Sequence, residues 1–200
     1  MNTHPAVKTC VTTFICISAF LLMTLSACYA GSEAQDKRWV NRSVGIRTGY
    51  GVSFNNDDKQ VQMIGVFPNI KWGLQRWSIG EDKTFELGFS MEATLVQFVK
   101  PHGAIGAGFS PFIRGAFNLA HVTPYIQIGA GFIYTNLDVR DLGQEFNFNL
   151  QGEGGVEFAL SDRLLFNIGY RYFHVSNAGL SSNNLGLDIN MGVAGISYRF

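Results

Sequence analysis

The segment FNFNLQGEGGVEFAL, residues 146–160, alternates without a break. Its even positions (Phe146, Phe148, Leu150, Gly152, Gly154, Val156, Phe158, Leu160) are apolar or glycine. Its odd positions carry Asn147, Asn149, Gln151, Glu153, Gly155 and Glu157. A repeat of two sends successive side chains to opposite faces of an extended strand, so this strand has one oily and one wet face. Similar segments recur at 43–54, roughly 60–72, 85–98, roughly 104–118, 122–135, 164–176 and 187–200. Beyond residue 40 no run reaches the ~20 consecutive apolar residues that a membrane helix needs. An even set of eight amphipathic strands leaves two architectures: a membrane barrel with its oily face out, or a soluble barrel with that face in.

The charges favour the first. Glu86, Glu92, Glu153 and Glu157 share the minority polar face with Arg47, Arg114 and Arg171. Inside a narrow barrel these can pair, whereas in hydrocarbon each would cost a few kcal/mol, about 2–4 at the bilayer midplane for a basic residue. Abundant aromatics and glycine (17 Phe, 7 Tyr, 23 Gly) with only 5 Pro suit strands rather than helices. The sequence stops at GISYRF, with Ile196, Tyr198 and Phe200 on one face. A terminal Phe on an alternating strand resembles the signal read by outer-membrane assembly machinery. The expected fold is all-β: an eight-stranded, antiparallel, transmembrane up-and-down β-barrel over residues 43–200.

Residues 1–30 differ in kind. Lys8 is followed by the apolar run VTTFICISAFLLMTLSACYA, ending in small residues, which reads as an export signal peptide. Cleavage after Ala30 is favoured. The alternative is a lipobox at LSAC that would lipidate Cys28, but an integral barrel gains little from a further anchor. Residues 31–42 then form a short periplasmic N-terminal segment. The three cysteines (Cys10, Cys16, Cys28) all fall within the signal, so the barrel has no disulfide and no cysteine metal site. Lys plus Arg equals Asp plus Glu at 15 each, which argues against a nucleic-acid partner. The expected location is the bacterial outer membrane.

With the C-terminus in the periplasm, the link ALSDR (159–163) is a periplasmic turn and 177–186 an extracellular loop. Along 164–176 the outward row runs Phe166, Ile168, Tyr170, Tyr172, His174, Ser176. Along 187–200 it runs Phe200 back to Asn190 and Asp188. Both rows turn polar at the same end, and neighbouring antiparallel strands bring same-face residues within reach. His174, Ser176 and Asp188 can therefore share one patch at the outer rim. A serine whose proton a histidine can take, and a carboxylate to orient that histidine, make a nucleophilic triad. Asn177, Asn184 or the backbone around Gly179 could donate to a developing oxyanion. On the residues alone, a histidine near a strand end is more often an interfacial polar residue, and Ser-Asn-Ala-Gly is ordinary loop chemistry.

The run RYFHVSNAGL…N…G…D, Arg171 to Asp188, resembles the C-terminal signature of the lipid A 3-O-deacylase family, the PagL-like outer-membrane enzymes. The likeness in character extends through PYIQIGAGFIYTN and FNFNLQGEGGVEFALSDR, covering most of 120–200. It implies a serine esterase whose site lies on the outside of the barrel. Its substrate would be lipid A of lipopolysaccharide, reached through the surrounding outer-membrane lipid, with no cofactor and no metal. It implies Ser176 as nucleophile, His174 as general base and acid, Asn184 as an oxyanion contributor and Asn177 as support. The family's best-known members carry Glu where this chain has Asp188, and Asn190 is a weaker substitute on the same face. Asn190 could orient the histidine but not ionise. Other readings are a different lipid esterase or acyltransferase, or a catalytically silent structural or adhesive barrel. The sequence leaves a homodimer open.

Overall fold

A computed structural model describes residues 42–54, 60–119, 121–140, 142–181 and 185–200. The export signal over 1–30 and all of the 31–42 segment except Arg42 lie outside the described residues. Eight strands follow in chain order: β1 (Arg42–Ser53), β2 (Gln62–Ser78), β3 (Lys83–Lys100), β4 (Ala104–Leu119), β5 (Val122–Thr135), β6 (Phe146–Ala159), β7 (Leu164–Ser176) and β8 (Leu187–Arg199). Each pairs antiparallel with its neighbours, and β1 closes the barrel on β8, with Ile46 opposite Ile196. Closure satisfies every strand edge, as crossing a membrane with strands requires.

The oily face is the outer one. Ile126 and Ile128 on β5 are 70% and 67% exposed, and Val44, Ile64, Leu95, Ile105 and Ile168 also face outward. Near the short turns the wall carries stacked rings, Trp77 on Phe85 (centroids 5.6 Å apart) and Phe158 on Phe166 (6.3 Å). Such aromatic belts sit at membrane interfaces, where a ring meets both hydrocarbon and headgroup.

The charged face is inside, and it is paired. Arg171 on β7 is fully buried at the barrel's centre, bonding Glu92 and Glu153 at 2.6 Å each and Gln151 at 3.0 Å. Its guanidinium also lies over the Phe67 ring, 4.7 Å from the centroid. Arg47 joins the same two glutamates, and Tyr125 donates to Glu153 at 2.7 Å. Towards the turns, Arg114 meets Glu157 at 2.6 Å, with Lys71 on the other carboxylate oxygen. Towards the loops the interior becomes apolar: Met63, Phe98, Ile133, Phe173, Val175, Leu187, Ile189 and Met191 pack together. The loop ends of β7 and β8 are therefore gripped from within, by hydrophobic packing above and an ionic network below.

The second strand runs further than its sequence pattern indicates, to Ser78 rather than to about residue 72. An irregularity between Gly73 and Gln75 shifts its register against β3. The extra residue reverses the inside–outside parity, so Arg76 turns in to Glu86 while Trp77 joins the outer belt.

Candidate active site

The lipid-facing row of β7 ends Tyr170, Tyr172, His174, Ser176. On β8, Asp188 lies directly opposite His174, and Asn190 opposite Tyr172. The His174 Nδ1 atom is 2.6 Å from Asp188 Oδ1. A side-chain pair opposed in register on one face needs no rearrangement to meet. The ring's other nitrogen, Nε2, takes no part in that contact. Ser176 lies two residues along the same row, at the loop end of β7.

Two further groups shape this pair. Gly186, at φ +78°, runs its backbone beneath the imidazole: a methyl there would stand 2.8 Å from His174 Cε1. Only glycine combines that left-handed conformation with such close approach. Tyr172 donates its hydroxyl to the same Asp188 oxygen that meets His174, at 2.5 Å. Neither residue stands out in the sequence, because Tyr172 matches every other aromatic on the outer wall and Gly186 matches any loop glycine.

After Ser176 the chain turns sharply through Ala178 and Gly179, with φ of 52° and 81°. Asn177 points inward and is fully buried. Its Nδ2 donates to the Leu142 carbonyl (2.8 Å) and its Oδ1 accepts from Gly179 N–H (2.9 Å). It thus ties the 136–145 loop to the loop following Ser176. Asn184 lies outside the described residues. Asn190 stands opposite Tyr172, and its amide oxygen accepts from the Tyr170 hydroxyl at 2.5 Å.

Below this patch the wall is hollowed. On β6, Leu150 stands opposite His174, Gly152 opposite Tyr172 and Gly154 opposite Tyr170. A methyl added at Gly152 or Gly154 would meet no atom within 4 Å. The open strip lies below the His174 level, where Leu150 stands, and covers the two glycine positions, roughly 7 Å at ~3.4 Å per residue. Ile126 and Ile128 border it on one side and Tyr170 on the other.

The fold and its lipid-facing exterior define an outer-membrane β-barrel of eight strands. Residues 62–197 match the family model described as lipid A 3-O-deacylase (PagL). The chain belongs to that family of lipid A-deacylating hydrolases, and it is a protein of the bacterial outer membrane. Among solved structures it is similar to the outer-membrane enzyme PagL at 20% identity, with a TM-score of 0.55, covering 74% of this chain and 97% of that one. It is similar to Neisserial surface protein A at 14% identity, also with a TM-score of 0.55, covering 80% and 97%. At these identities the two structures speak for the barrel alone. No curated protein matches the chain.

Proposed function

We propose that this chain is a serine esterase that removes the 3-O-linked 3-hydroxyacyl chain from lipid A. The observation that carries this reading is the contact between His174 Nδ1 and Asp188 Oδ1, made on the lipid-facing wall one step along the row from Ser176. A polar pair held there is costly unless used, and the ester it would act on lies in the same leaflet.

In this reading lipid A approaches sideways, its sugar level with the loops and its acyl chain along the Gly152–Gly154 strip. Ser176 Oγ attacks the ester carbonyl while its proton passes to His174 Nε2. Asp188 keeps the imidazole oriented and stabilises its positive charge. The tetrahedral intermediate collapses with cleavage of the bond to the sugar oxygen, which takes the proton from His174. Water, deprotonated by His174, then releases the 3-hydroxy acid from Ser176. Asn184 supplies a donor to the oxyanion, and Asn177 supports the site by holding the loop backbone.

The mechanism is tested by treating the purified barrel with a lipophilic fluorophosphonate and mapping the adduct. Modification of Ser176, with loss of fatty-acid release from lipopolysaccharide, is the expected result. A modified protein that retains full activity, or an adduct on another serine, would exclude Ser176 as the nucleophile.

A further inference from the structure

We infer that Tyr172 is a positioning residue for Asp188, an inference that rests on reading His174, Ser176 and Asp188 as a catalytic triad. The register places Tyr172 opposite Asn190, yet its hydroxyl reaches diagonally to Asp188 Oδ1 at 2.5 Å. That oxygen is the one that contacts His174 Nδ1 at 2.6 Å. One carboxylate oxygen thus accepts from two side chains of the same strand, spaced two residues apart.

An aromatic residue serving only as a membrane-interface anchor turns its polar tip toward headgroups and water. The Tyr172 tip is instead spent within the site. Its ring is held in turn by Phe54, at the loop end of β1, with centroids 6.2 Å apart. The Phe54 N–H donates to the backbone carbonyl of Asp188 at 3.1 Å. The carboxylate of Asp188 is thus held from β7, and its backbone is held from the loop end of β1.

The physical effect is restriction. The Asp188 carboxylate turns about two side-chain bonds of its own, and the bond to His174 Nδ1 fixes only one point of it. A second donor on Oδ1 selects one oxygen and one orientation before substrate arrives, which is the preorganisation that triad chemistry rewards. The Tyr172 ring borders the acyl strip opposite Gly152, but its hydroxyl is spent on Asp188, so removing the hydroxyl alone should slow turnover without weakening substrate binding.

The test is a double-mutant cycle on the full-length barrel in detergent micelles, with lipopolysaccharide as substrate. Tyr172→Phe keeps the ring and its contact with Phe54, and the barrel should still show the heat-modifiable gel mobility of a folded outer-membrane protein. The expected result is a fall in kcat of about tenfold, one charge-assisted hydrogen bond's worth, with KM unchanged. In an Asp188→Ala background the same substitution should cost nothing further. An unchanged kcat, a change confined to KM, or an equal loss in both backgrounds would overturn the inference. Ser176→Ala run alongside separates the two levels: full activity there would sink the triad itself, whereas an inactive Ser176→Ala with a wild-type-like Tyr172→Phe would sink only the role of Tyr172.

Discussion

His174 and Asp188 face each other across β7 and β8, and their side chains meet at 2.6 Å on the wall of the barrel that lies against lipid. In that position the pair is screened less than it would be in bulk water, so the carboxylate's hold on the imidazole is strong. The pair is also fixed from behind, because Arg171 and Phe173 anchor β7 in the barrel interior.

Removing the carboxylate should therefore be severe. Asp188→Ala is expected to lower kcat on the order of 10³-fold or more, the scale seen when a triad loses its acid. Asp188→Glu should retain part of the activity, since it restores the charge but must fold an extra methylene into a contact already closed. Steady-state kinetics on lipopolysaccharide measure both, and near-wild-type turnover in Asp188→Ala would show that His174 works without this partner.

Gly186→Ala should damage the site from below. The new methyl would press on His174 Cε1 from 2.8 Å, and the left-handed backbone would carry strain of roughly 1–3 kcal/mol. A lowered kcat together with an earlier urea midpoint is the expected signature. Wild-type kinetics would mean that the imidazole has room to move aside.

Filling the open strip should change which acyl chains are accepted. Gly154→Leu places a branched side chain where a chain lying down the wall from Ser176 would run, and Gly192→Leu on β8 serves as a comparison outside the strip. Gly154→Leu is expected to raise KM and to favour substrates with shorter 3-linked chains, read by competition between lipopolysaccharides of different acyl length. Equal effects of the two substitutions would argue against the strip as the acyl path.

The interior network should bear on stability. Arg171→Met leaves Glu92 and Glu153 short of a buried partner, a loss of about 3–5 kcal/mol by precedent for broken buried ion pairs. Urea titration of the folded barrel in detergent measures it. A stability equal to wild type would mean that Arg47 alone neutralises both glutamates.

Much of this barrel is legible in the alternation, because a strand with lipid on one side and a narrow interior on the other must separate its side chains by parity. Parity also suffices to bring His174 and Asp188 to one patch, since the loop between their strands fixes the register. It misleads at β2, where the irregularity at Gly73–Gln75 exchanges the faces and hides the strand's continuation to Ser78. It is silent on the upper interior, because Phe173 and Val175 point inward yet are as apolar as the outer wall. Tyr172 could not be distinguished from its aromatic neighbours by residue type, as its role lies in where the hydroxyl ends. Asn177 reads as an available donor in sequence, and the structure spends it on loop backbone.

Hydrolysis of one ester bond leaves a mass signature on the substrate, and mass spectrometry of lipid A reads it most directly. Lipid A should be compared from cells expressing the wild-type chain and cells expressing Ser176→Ala, with insertion of both proteins in the outer membrane verified. Loss of the mass of a single 3-hydroxyacyl chain, mapped to a 3-O-position, is expected with the wild type alone. An unchanged lipid A profile with the wild type, or the same loss with Ser176→Ala, would contradict it.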